Sequence, residues 1–131
     1  MGKTISAIHL NQKAEIYLVQ RRFEAAITAC YQALEIEQNF PLTCKILGNI
    51  LQRMGEIDKA KEWYIKAINQ EPNLAEAHAN LGSIYAQEKQ WHLAIKCYRE
   101  AIEIKPNIPG FYRNLGKIWQ ELDKVELARD C

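Results

Sequence analysis

Proline and glycine are scarce, four and six in 131 residues. Helix breakers this sparse exclude a collagen-like or turn-dominated chain and leave room for long uninterrupted helices. Charge of one sign is lacking too: 17 Lys plus Arg against 16 Asp plus Glu leave a net +1. That balance argues against a dedicated nucleic-acid partner, which calls for a basic excess. Apolar runs never reach the ~18 residues a membrane span requires, and the N-terminus has no secretory apolar core. The first six residues, Met1 to Ser6, fit the loose acylation pattern, which is too short to carry weight, and no membrane partner is expected. What remains, 48% apolar and 25% charged, is the composition of a soluble folded chain.

Reactive chemistry is absent as well. There is no GxGxxG, HExxH or GxSxG. Gly110, Gly116 and Lys117 are spaced wrongly for a phosphate loop, and Ile118 stands where Ser or Thr is required. His9, His78 and His92 are isolated along the chain. Cys30, Cys44, Cys97 and Cys131 form no CxxC pair and fall in helical stretches, where a thiol behaves as a small hydrophobe. The chain is therefore expected to be no enzyme, to hold no cofactor or metal, and to keep its thiols reduced in the cytoplasm.

What is present is a repeat. Shifting the sequence by 34 residues aligns Leu47, Leu81 and Leu115, each followed by glycine at 48, 82 and 116. Ala60, Ala94 and Ala128 align, as do Tyr64 with Tyr98, Ala67 with Ala101, and Pro72 with Pro106. A more degenerate first copy places Ala14, Tyr17, Ala26, Cys30 and Ala33 in register, with Gln38 in the proline column. Each copy carries two stretches of helical periodicity around a short polar turn, which reads as two antiparallel helices. The predicted helices cover residues 4–20, 23–37, 41–54, 57–70, 75–88, 91–104, 109–122 and 125–130. A mid-helix glycine costs about 1 kcal/mol against alanine, so the glycine column implies a contact too close for a methyl group. The expected partner is the alanine column, where the second helix crosses the first. Phe23, Ile57, Trp91 and Val125 share a column beside that crossing, and Tyr85, Tyr98, Trp91 and Trp119 are expected to be buried.

This pattern resembles the tetratricopeptide repeat, a 34-residue helix–turn–helix unit. The resemblance covers residues 7–131, as one domain spanning 1–131 with copies at 7–40, 41–74, 75–108 and a truncated 109–131. It implies an all-α, right-handed superhelical solenoid whose first helices line a concave groove. The last predicted helix ends after barely two turns without a polar cap, so a piece of a longer protein is expected, or self-association through that end.

On the first helices, one face carries Ile8, Asn11, Glu15 and Leu18, then Leu42, Lys45, Asn49, Gln52 and Arg53. Glu76, Asn80, Ser83 and Gln87 follow, then Arg113, Asn114, Lys117 and Gln120. Lys45 and Asn49 are four apart and share a helical face. Asn80 and Asn114 share a repeat column, and amides both donate to and accept from a peptide backbone. The resemblance implies a peptide groove made by Lys45, Asn49, Asn80, Arg113, Asn114 and Lys117. In some tetratricopeptide domains, positions matching Lys45, Asn49 and Asn80 clamp a ligand's C-terminal carboxylate. The two further clamp positions, basic in those domains, are Gly110 and Asn114 here, with Arg113 and Lys117 close in sequence. Asn80 and Asn114 are also similar to the asparagine ladder of repeat arrays in O-GlcNAc transferases, which Gln12 and Ile46 interrupt. The functional expectation is a non-catalytic module that binds a protein or peptide, with a C-terminal carboxylate as one candidate feature. Two alternatives stand beside it. One is the recognition arm of a larger enzyme, such as a glycosyltransferase or methyltransferase; the other is a structural multimeriser.

Overall fold

The structure, a computed structural model, describes residues 2–130. Among these residues there are seven α-helices and no strand. They are α1 (Gly2–Val19), α2 (Phe23–Ile36), α3 (Pro41–Arg53), α4 (Ile57–Gln70), α5 (Ala75–Gln87), α6 (Trp91–Ile104) and α7 (Pro109–Asp130). The contacts gather into two compact units, one ending at Pro72 and the other beginning at Asn73.

Two kinds of helix end repeat along the chain, and each has its own cause. α1, α3 and α5 close with a residue in the left-handed region: Arg21 (φ 61°), Gly55 (φ 85°) and Lys89 (φ 61°). The next amide reaches back five residues, from Arg22 N to Tyr17 O (2.8 Å), Glu56 N to Leu51 O (2.9 Å) and Gln90 N to Tyr85 O (2.8 Å). This is the Schellman arrangement, which satisfies the carbonyls a helix leaves open at its end. The same three residues then start the next helix, their carbonyls accepting from Ala26, Ala60 and Ala94. α4 and α6 end on an extended residue, Glu71 (φ −141°) and Lys105 (φ −129°). Each precedes a proline, whose ring pushes the residue before it out of the helical region. Glu37 does the same (φ −128°) without one. Pro41 and Pro109 sit at the first position of α3 and α7, where a missing N–H costs nothing.

In the first unit, Ala14, Leu18, Ala26, Cys30, Leu47 and Ile50 form one apolar cluster, with Phe23 and Trp63 packed on it. In the second, Ala75, Ala94, Ile95, Tyr98, Phe111 and Ile118 form another, with Tyr85, Trp91 and Leu115 alongside. Cys30, Cys44 and Cys97 are buried free thiols, while Cys131 lies outside the described residues.

Four expectations are corrected. The predicted helices 109–122 and 125–130 are one helix, α7. Asp123 occupies the column of Arg21, Gly55 and Lys89 but stays helical. A left-handed residue other than glycine costs about 1–2 kcal/mol, which α2 and α6, 14 residues each, offset by docking back after Arg21 and Lys89. The nearest atoms to the glycines, secondly, belong to tyrosines and a cysteine of the second helix and not to the alanine column. A Cβ on Gly48 would fall 2.6 Å from Tyr64 Cε1, and one on Gly82 2.9 Å from Tyr98 Cδ2 and 3.0 Å from Cys97 Cβ. The alanines at 60 and 94 are fully buried beside that contact, whereas Ala128 is exposed. Thirdly, Gly116 has nothing within 4 Å of a built Cβ, so the close contact made at Gly48 and Gly82 is not repeated there. Finally, of the aromatics expected in the core only Tyr98 is buried; Tyr85 and Trp91 are half-buried and Trp119 is 39% exposed.

Candidate functional site

The expected site residues divide between the units and are described within each. In the first unit, α3 carries Lys45 and Asn49 one turn apart, both half-buried. Behind them the ring of Tyr64, fully buried, lies in the notch left by Gly48. Its hydroxyl stands 2.6 Å from Asn49 Oδ1 and 2.9 Å from Gln52 Oε1. The glycine thus lets a tyrosine of the second helix reach the polar face of the first.

Asn11 and Leu18, expected on that open face, are instead buried (5% and 7% exposed). The Thr43 hydroxyl donates to Asn11 Oδ1 at 2.8 Å, which ties α1 to α3, while Asn11 Nδ2 has no partner. An interior amide with one unmet donor costs roughly 1–3 kcal/mol. Helical spacing alone places Asn11 and Lys45 in the same repeat column; only the packing of α1 on α3 separates their environments.

In the second unit, α5 carries Asn80, half-buried, and α7 carries Arg113, Asn114 and Lys117, all exposed. Asn114 Nδ2 donates to the Tyr98 hydroxyl at 3.4 Å, so a tyrosine again meets an amide of the polar face. Burial pushes the Tyr98 hydroxyl up, opposed by its bonds with Asn114 and Ser83. Arg113 folds back over Gly110: a Cβ at that glycine would be 3.6 Å from Nη2 of the guanidinium. A cation therefore stands beside a position where the sequence has none. Lys105 Nζ pairs with Glu76 Oε1 at 2.7 Å, and the buried His78 places Nδ1 3.0 Å from Glu100 Oε2. Sequence reasoning missed this last pair, since its members lie 22 positions apart on different helices.

Among the described residues no group of three His, Cys, Asp or Glu side chains could hold a metal ion, and no helix is long and apolar enough to cross a membrane. Between the start of α6 and the later half of α7 lies a cavity of about 440 Å³, lined by Trp91, Leu93, Leu122 and Val125 with Lys89 and Arg129 among its charged residues. Burial pushes the Cys30 thiol up to about 12 and the Cys97 thiol up to about 11, which leaves both protonated and unreactive at neutral pH.

Helix hairpins at a fixed period, bearing amides and cations on their first helices, are the make-up of a helical-repeat interaction module. The chain belongs to the tetratricopeptide-repeat family: models described as tetratricopeptide repeat match residues 10–40 and 75–108, and one described as TPR repeat matches 48–89. Over 82 residues it is 31% identical to tetratricopeptide repeat protein 21B of Xenopus laevis. That match takes in 63% of this chain but 6% of the relative, so the chain spans a small part of its length. Among solved structures, the first TPR of Spaghetti (RPAP3) bound to the HSP90 peptide SRMEEVD superposes with a TM-score of 0.84 at 20% identity, covering 92% of this chain and 95% of that one. The Sgt2 TPR domain from Aspergillus fumigatus gives 0.85 at 20% identity, covering 92% and 81%. At these identities the likeness concerns the fold.

Proposed function

We propose that the chain is a non-catalytic module that binds an extended peptide through its first-helix faces, by Lys45 and Asn49 in one unit and Asn80, Arg113, Asn114 and Lys117 in the other. The observation that carries this reading is the guanidinium of Arg113 beside Gly110. Gly110 is a position where carboxylate-clamping repeats carry a basic residue, and Arg113 brings the missing charge back to it from the next helical turn. Amides supply sequence-tolerant hydrogen bonds to a peptide backbone, and the cations supply selectivity for an acidic or carboxylate-terminated segment. The structurally similar Spaghetti domain, solved with SRMEEVD, supports a ligand of this kind.

Calorimetric titration of the chain with SRMEEVD, carrying a free or an amidated C-terminus, tests the reading. The free acid binds, and amidation weakens it about tenfold, or 1.4 kcal/mol. Equal affinities overturn the carboxylate reading, and binding of neither peptide overturns the peptide-binding function.

A further inference from the structure

The cavity between α6 and α7 lies apart from the proposed ligand face, since none of Asn80, Arg113, Asn114 and Lys117 lines it. One stripe along α7, at helical spacing, runs through Ile118, Leu122, Val125 and Arg129. Ile118 and Leu122 are 4% and 5% exposed and share a core cluster with Ile95 and Tyr98 of α6. Val125, the next on the stripe, is 37% exposed, and Arg129 is at the surface. The cavity takes over where that packing stops. Its α6 wall is Trp91, half-buried, and Leu93, 44% exposed. Walls this open form a slot and not a closed chamber. A slot takes the apolar edge of a helix, with anchors a turn apart, whereas a small ligand needs most of its surface enclosed.

Charge selects the occupant. Lys89 and Arg129 line the slot from its two walls, against one carboxylate, Glu126. Among the described residues neither cation has an ion-pair or ring partner. Elsewhere Lys105 and Lys124 pair with carboxylates, and Arg21, Arg22, Lys66 and Arg99 lie over aromatic rings. The backbone under Lys89 is fixed by its left-handed turn and by the bond from Gln90 N to Tyr85 O. We propose that this slot docks an acidic amphipathic helix of another protein. Leucine-type side chains of that helix enter between Trp91 and Val125, and its flanking carboxylates meet Lys89 and Arg129.

The test titrates the ¹⁵N-labelled chain with acetyl-LEAELEAELEAE-amide, whose leucine stripe is flanked by glutamates, and with its counterpart carrying Lys for every Glu. The acidic peptide binds about tenfold more tightly than the basic one and shifts the Trp91 indole and the Leu93 and Val125 amides. In the double variant Lys89→Glu, Arg129→Glu the preference reverses. Equal affinities, binding of neither peptide, or a preference that survives the double variant overturns the proposal. Leu93→Asp, a change at the surface, removes binding, while Leu127→Asp, on a residue 65% exposed that does not line the slot, leaves it unchanged. An equal loss in both variants overturns the site. Sedimentation of the free chain covers the rival occupant: a dimer that Leu93→Asp dissociates assigns the slot to a second copy and refutes the partner helix. Titration with SRMEEVD reads the first-helix faces separately, so failure here leaves the reading above standing.

Discussion

Three glycines share one repeat column, yet adding a methyl group to each has opposite consequences. At Gly48 the new Cβ would stand 2.6, 2.7 and 2.9 Å from Cε1, Cδ1 and Cζ of Tyr64. That ring is fully buried and its hydroxyl is tied to Asn49, so it has nowhere to swing. Overpacking of this kind costs about 1–3 kcal/mol. Against it stands the gain from replacing a mid-helix glycine, about 1 kcal/mol. Since the steric overlap is severe, Gly48→Ala is expected to lose a net ~1–2 kcal/mol. Gly116 lies in the same register, but a Cβ there meets nothing within 4 Å. Gly116→Ala therefore keeps the helix-propensity gain and stabilises by about 0.5–1 kcal/mol. Thermal unfolding followed by circular dichroism reads the pair, at roughly 3–5 °C per kcal/mol for a chain of this size. Gly48→Ala as stable as the unmodified chain, or a destabilised Gly116→Ala, would refute the notch argument.

Other outcomes follow from the same structure. Gly82→Leu overpacks Tyr98 and Cys97 by at least as much as alanine does at Gly48, and a lowered midpoint in urea unfolding checks it. Lys45→Ala is expected to change stability by less than about 0.5 kcal/mol while weakening SRMEEVD, because a partly solvated charge contributes little to folding; unfolding of this variant would remove Lys45 from the ligand face. Thr43→Val strands both ends of the buried Asn11 amide and costs about 1–3 kcal/mol, read by the same unfolding curves. The raised thiols set an alkaline limit. Their folded pKa lies above the usual 9.0, so the stability tied to the neutral thiols is complete below pH 9 and is lost as pH rises through about 11 for Cys97 and 12 for Cys30. Unfolding midpoints that stay level from pH 8.5 to strongly alkaline conditions, or native-state labelling of these cysteines as fast as in urea, would contradict their burial.

Much of this architecture was legible in the sequence because the repeat multiplies weak signals. Pro41, Pro72, Pro106 and Pro109 mark helix ends by chemistry that acts locally, and the periodicity places six helices to within a residue or two of their observed limits. What escaped was what depends on a neighbour. Asp123 shares the column of Arg21, Gly55 and Lys89 yet stays helical, which the 34-residue register does not announce. Tyr64 and Tyr98, and not the alanine column, supply the atoms nearest the glycine notches, a contact that only the packed helices reveal. Asn11 and Lys45 share a column, yet α1 packing on α3 buries the first fully and the second only in part. The Tyr64–Asn49 bond spans 15 positions and two helices, and no spacing rule announces it.

The hairpin apexes carry a practical consequence. Arg21-Arg22, Gly55-Glu56 and Lys89-Gln90 differ in size, charge and backbone freedom, yet all three close with the same pair of amide bonds. A bend whose shape is imposed by the rods it joins, and not by its own letters, tolerates rewriting. These three corners are where a fluorophore pair or a lanthanide-chelating tag can be spliced in to report on each hairpin without disturbing it.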